Sequence, residues 1–137
     1  MPRISIELPD AYAFETILEI RVSDLNYGNH LGNDRVLGLV HEARLRYLAS
    51  LGESEYNAGG IGLIQSDAAL NYKGRGVWGQ KLRVRAQSAF EGNTWYFTFL
   101  ITDLESGKEI ARAKTGMVFF DYGREKIVRP PPRLLKS

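Results

Sequence analysis

The sequence predicts an α+β domain in which one long helix is wrapped by a curved antiparallel sheet. Three observations carry the prediction. One stretch, 34–51, keeps a helical period; the stretches after it alternate with a period of two; and Gly92-Asn93 and Ser106-Gly107, between alternating stretches, are hairpin signals. A lone amphipathic helix must bury its apolar stripe, and consecutive hairpin strands supply the sheet that covers it.

The helix rests on Val36, Leu37, Val40, Ala43, Tyr47, Leu48 and Leu51, which recur at spacings of three and four and form one apolar face. Asn33 stands where an N-cap belongs, and Asp34 suits the positive end of the helix dipole. Gly52 is a natural residue to follow the last turn. At 1.5 Å per residue such a helix spans roughly 27 Å, the width of a small domain.

The other elements follow in order. Residues 1–13 read as an arm, because Pro2, Pro9 and Asp10 interrupt any regular element. From Phe14, the residues Phe14, Thr16, Leu18, Ile20 and Val22 alternate with Glu15, Ile17, Glu19 and Arg21, a half-buried strand. A polar loop, Asp24 to Asp34, leads into the helix, and GESEYNAGG (52–60) leads out of it. The next strand, 61–73, sets Gln65, Asp67 and Asn71 against Ile64, Ala68, Leu70 and Tyr72. Lys73-Gly74-Arg75-Gly76 breaks that pattern, and strands over about 80–90, 94–104 and 109–121 follow. The tail, 122–137, with Pro130-Pro131-Pro132, is expected to be extended or loose. The whole of 1–137 reads as a single domain, as 137 residues favour.

Composition narrows the function. A net charge of +2 demands no polyelectrolyte, so no nucleic-acid partner is expected. The absence of Cys excludes a disulfide scaffold, a thiolate zinc site and a Cys nucleophile. No apolar run is long enough to span a membrane, and MPRISIELPDAYAF lacks a signal-peptide pattern, so a cytoplasmic location is the default expectation. No spacing of His, Asp and Glu suggests a metal.

The loop and helix carry a recognisable combination: Asp24-Leu25-Asn26, His30-Leu31-Gly32-Asn33, then Glu42-Ala43-Arg44, with Asn71-Tyr72, Trp78-Gly79 and Gly107 downstream. Over residues 14–121 this resembles the hotdog-fold acyl-CoA thioesterases of the 4-hydroxybenzoyl-CoA thioesterase type. The resemblance implies a hotdog fold and hydrolysis of an acyl-CoA or acyl-carrier-protein thioester to acid and thiol. It implies no cofactor, since CoA belongs to the substrate, and a homodimer, or a tetramer built from two dimers. The alternative is a non-hydrolytic acyl-thioester-binding protein. That alternative gains from one departure: many members have a catalytic Asp where this chain has Asn26, and an amide is neither a general base nor an anionic nucleophile at neutral pH.

Thioester hydrolysis needs an oxyanion stabilised and a water activated or a carboxylate attacking. A helix N-terminus offers unpaired N–H groups, so the backbone around Gly32, Asn33 and Asp34 is the candidate oxyanion site, unless the helix start caps itself. Asp24 and Asn26 share a face if the chain is extended, which makes Asp24 a base or a holder of Asn26 and His30; an Asx-turn is the alternative. His30 can bond the carbonyl or relay a proton, or else pin the loop. His41 is read as structural. Glu42 sits where a second branch of the hotdog superfamily carries a helix Glu acting across a subunit interface, although it is also placed to pair with Arg46 at i,i+4. Arg44 falls near the apolar stripe and, if buried, requires a partner that the sequence does not name. Gln65 and Ser66 are candidate contributors to a partner subunit's site, and a solvent-facing edge accounts for Asp67. Lys73 and Arg75, or a patch of Arg83 and Arg85 with Lys81, Arg112 and Lys114, can meet CoA phosphates; a solvated sheet face is the alternative for the patch.

Overall fold

The computed structural model describes residues 3–136. Its elements are β1 (Phe14–Glu19), α1 (Asn33–Ser50), β2 (Gly62–Tyr72), β3 (Lys81–Glu91), β4 (Thr94–Asp103), β5 (Glu109–Asp121) and β6 (Lys126–Val128). All strand pairs are antiparallel, in the order β1-β3-β4-β5-β2, with β6 paired to the end of β5. The one α-helix among the described residues packs on a six-stranded sheet, which is the hotdog arrangement.

Burial follows the two periods. Val36, Leu39, Val40, Ala43, Tyr47 and Leu48 of α1 meet Leu82, Val84 and Ala86 of β3, Phe97, Phe99 and Ile101 of β4 and Ala111, Ala113 and Met117 of β5 in one core. Tyr47 stacks on Phe14 at 5.1 Å and meets Phe97 edge-on at 5.6 Å, so aromatic faces join the helix to both the first strand and the sheet centre. No helix among the described residues is long and apolar enough to cross a membrane.

Five local readings change. First, Gly32, not Asn33, is the N-cap; it is extended (φ −70°, ψ 140°), and no side chain among the described residues caps the helix start. Second, β1 ends at Glu19, because Val22–Asp24 winds into a 3-10 turn that leaves Val22 71% exposed. Third, Gln65 and Asp67 do not share a face. Ser66 is an extra residue between the pairs Gln65–Met117 and Asp67–Gly116, and this bulge turns Gln65 toward the helix and Asp67 away from it. Fourth, the tail is not loose throughout: Lys126–Val128 pairs with Phe119–Asp121, and Leu134 is buried in the core. Fifth, β4 separates the basic strands β3 and β5, and the basic side chains of both face away from the helix. The arm lies across that outer face. Ile6 is buried there, its N–H donates to Asn71 Oδ1 and its carbonyl accepts from Arg112, while Ala11 accepts from Gln87.

The far end of α1 is sealed. Gly52 has φ +76°, its N–H bonds the Ala49 carbonyl, and the Glu53 N–H reaches back to Leu48, a Schellman closure that a side chain at position 52 would strain. The two ends of the helix are therefore built differently, closed at the C-terminus and open at the N-terminus.

Candidate active site

The loop before the helix is held by its own backbone. Leu25 and Leu31 form a bridge, the Asn26 N–H donates to the His30 carbonyl at 2.8 Å, and the Gly32 N–H donates to the Asp24 carbonyl at 2.9 Å. Asn29 turns the chain at φ 64°, a conformation asparagine tolerates. Inside this small loop the Asn26 side-chain oxygen accepts from Gly28 N–H at 2.9 Å and His30 N–H at 3.2 Å. The amide at the position of the usual carboxylate is thus an Asx-type closure of its own loop. Asp24 is buried, and its Oδ2 accepts the Arg21 N–H at 2.8 Å, which fixes the 3-10 turn. The His30 ring is half-buried and has no hydrogen-bond partner among the described residues.

The helix start is chemically open. With Gly32 as N-cap, the N–H groups of Asn33 and Asp34 have no partner among the described residues, at the positive end of the dipole. The Tyr72 hydroxyl donates to the Asn33 carbonyl at 3.2 Å, and the Leu31 N–H donates to the Gly76 carbonyl at 2.8 Å. These bonds bring the end of β2, with the exposed Lys73 and Arg75, to the loop. Arg83 and Arg85 lie elsewhere, on the outer face of the sheet, where Arg83 is 3.5 Å from Glu15.

A cleft of about 530 Å³ runs between α1 and the strands β2 and β5, lined among others by Asp34, Leu37, His41, Arg44, Glu55 and Gln65. Its polar wall is a connected network. Glu55 bonds His41 Nε2 through Oε1 at 2.8 Å and Arg44 Nε through Oε2 at 2.8 Å. Arg44 Nη1 then donates to Gln65 Oε1 at 3.1 Å and Thr115 Oγ1 at 3.4 Å. Burial pushes the Glu55 carboxyl up, but the Arg44 and His41 hydrogen bonds and charges outweigh it and hold the group below the ordinary glutamate value. A smaller cleft of about 300 Å³ shares His41, Glu55 and Leu63 and adds Leu45, Tyr56 and Tyr122.

The structure gathers some of the expected site residues and separates others. Asp24, Asn26, His30, Gly32, Asn33 and Asp34 form the loop and helix start. Gln65 joins the cleft through Arg44. Ser66 points the other way, donating to Asp67 Oδ1 and the Gly116 carbonyl. Glu42 is absent from the cleft wall; it pairs with Arg46 at 2.9 Å on another side of the helix, and Arg46 also donates to Thr16 and the Ile17 carbonyl. Glu55 was not among the expected residues. It lies in an irregular connection with no periodicity, and its only sequence-level signal was the unmet need of Arg44 for a partner. Among the described residues no cluster of three or more His, Cys, Asp or Glu could hold a metal.

The comparisons agree with this architecture. A sequence profile of the thioesterase-like superfamily matches residues 20–137, most of the chain, and the chain belongs to that superfamily. No curated protein matches it by sequence. Among solved structures it resembles the 1,4-dihydroxy-2-naphthoyl-CoA thioesterase Slr0204 from Synechocystis at 21% identity, covering 88% of this chain and 91% of that one with a TM-score of 0.79. The probable thioesterase YbaW from Escherichia coli is similar at 22% identity over 84% and 88% of the two chains, with a TM-score of 0.71. The 12:0-ACP thioesterase from Umbellularia californica matches at 17% identity over 88% of this chain and 50% of its own, with a TM-score of 0.74. At these identities the likeness is one of fold.

Proposed function

We propose that this chain hydrolyses an acyl thioester, of coenzyme A or an acyl carrier protein, to the free acid and thiol. The observation that carries the proposal is the uncapped start of α1, whose Asn33 and Asp34 N–H groups are free to bind an oxyanion. Superfamily membership supports it, as does the cleft that opens along the helix from Asp34. In this reading Asp24 and Asn26 shape the loop, His30 with its unbonded ring meets the thioester, and Lys73 and Arg75 beside the loop meet phosphate. No metal or cofactor is invoked.

The proposal includes a homodimer. Among the described residues the only strand that pairs with β2 is β5; on its other edge the Leu63 N–H bonds the Glu55 carbonyl, and beyond that point the 11-residue strand has no strand partner and its middle, Gln65–Ala68, is exposed. A long open edge of this kind is a template for pairing with another strand, and a second copy of β2 would border the cleft through Gln65.

The test is thiol release from a panel of short, medium, long and aromatic acyl thioesters. The panel includes a naphthoyl-CoA and a dodecanoyl-carrier protein, because similar folds are named for such substrates. Turnover of one class is the expected result, and no release from any member removes the reading. A second reading, a binder of acyl thioesters without hydrolysis, is favoured by the amide at position 26. A silent wild type that gains turnover as Asn26→Asp would establish it.

A further inference from the structure

The expected carboxylate bases are occupied elsewhere: Asp24 with the Arg21 N–H and Glu42 with Arg46. Neither lines the large cleft. Building on the thioesterase reading, we propose that His41 is the general base of this site, with Glu55 and Arg44 as the residues that position it.

The geometry supports the assignment at three levels. His41, Asp34, Leu37 and Arg44 recur at three- and four-residue spacing, so His41 faces the cleft on the same side of α1 as the open helix start. It lies seven residues from Asp34, about 10 Å of helix rise. It also stands where the large cleft meets the smaller one lined by Leu45, Tyr56 and Tyr122, an apolar recess beside the reacting centre for the acyl group.

The second level is the tautomer. Glu55 is held ionised by Arg44, and an ionised carboxylate only accepts hydrogen bonds. In neutral His41, therefore, Nε2 carries the proton that bonds Glu55, and Nδ1 keeps its lone pair. Nδ1 has no partner among the described residues.

The third level is rigidity. The Arg44 side chain is only 5% exposed and is fixed by Glu55, Gln65 and Thr115, contributed by three different segments. The orienting carboxylate therefore has its own anchor. A base oriented by a third group that is itself held is a recurring arrangement at sites of general-base catalysis.

The step balances without an added reagent. His41 Nδ1 takes a proton from water as the water oxygen bonds the thioester carbon. The carbonyl electron pair moves to oxygen, facing the helix-start N–H groups. When the tetrahedral species collapses, the C–S bond breaks and the leaving thiolate takes the proton back from His41 Nδ1, giving acid and thiol.

The experiment measures steady-state hydrolysis, on the best thioester of the panel, by wild type, His41→Ala and His41→Gln. Glutamine can still bond Glu55 but is no base, so it separates a chemical role from a structural one. Both variants are expected to lose roughly 10²- to 10⁴-fold in kcat, with KM within a few-fold. Added imidazole should restore turnover to His41→Ala in proportion to its concentration. Glu55→Gln should lower kcat with little change in KM. The proposal is overturned if His41→Gln keeps the wild-type kcat, or if both His41 variants lose activity through KM alone. A wild type silent on the whole panel is a different result: it removes thioester hydrolysis itself, and the base with it.

Discussion

At Arg44 the helix carries a cation to the edge of the core, among residues that are otherwise apolar. An unpaired charge there would cost several kcal/mol; Glu55, Gln65 and Thr115 offset that cost. The pairing makes stability depend on pH, with a definite sign. The Glu55 carboxyl titrates below its ordinary value of 4.5 in the folded chain, so the folded state favours the ionised form. Its contribution is fully present above the unfolded value and is lost as pH falls through the folded one. Urea unfolding of wild type should therefore weaken below about pH 4.5, and Glu55→Gln should show a smaller decline over the same range. Parallel declines would mean that the pairing contributes nothing. Other carboxylates such as the half-buried Asp121, held low by Arg124, share the wild-type trend but are common to both proteins.

At the scale of elements, the two ends of α1 and the tail divide the labour. The helix start is left open and the helix end is sealed by Gly52. Immediately after it, Glu53 anchors the C-terminal tail. Its side chain is 3% exposed, and its carboxylate accepts both from the Gly59 N–H at 3.1 Å and from Arg133. Pro131 closes over Gly59, where any Cβ would stand 2.7 Å from the proline ring. Arg133→Ala strands a buried carboxylate, though Arg133 itself is mostly exposed and screened. The expected loss is about 1–2 kcal/mol in chemical denaturation, with faster proteolysis of residues after Val128. An unchanged cleavage pattern would show that Pro131 and Leu134 hold the tail without the ion pair.

At the scale of the whole molecule, the sheet has two faces with different covers. The helix fills the inner face, and the arm closes part of the outer one through Ile6. Among the described residues both edge strands, β1 and β2, lack a further strand, and the β2 edge is the longer. Sedimentation velocity is expected to show a particle of two chains, and a stable monomer at micromolar concentration would remove the dimer from the proposal. The bulge at Ser66 sits in the middle of this edge and is packed tightly: a Cβ on Gly116 would lie 1.9 Å from Asp67 Oδ1. The edge is therefore shaped locally, and any partner strand must accommodate that bend.

Much of this protein was legible in the sequence alone. Apolar spacing marked α1 and β2 to β5 to within a residue or two, because periodicity is a local property set by side-chain geometry. The Asp24–Asn33 loop and Glu42-Ala43-Arg44 led to the superfamily for the same reason: neighbours in sequence are neighbours in a loop. The tertiary structure alone decided the rest. One extra residue at Ser66 put Gln65 and Asp67 on opposite faces. The pairing of Glu42 with Arg46 was legible from helix spacing, but only packing put His41, about 100° round the helix, on the cleft. Glu55, in a connection with no period of its own, became the partner that Arg44 required. Sequence spacing records which residues share an element; only packing gathers a loop carboxylate and side chains of two strands around one helix guanidinium.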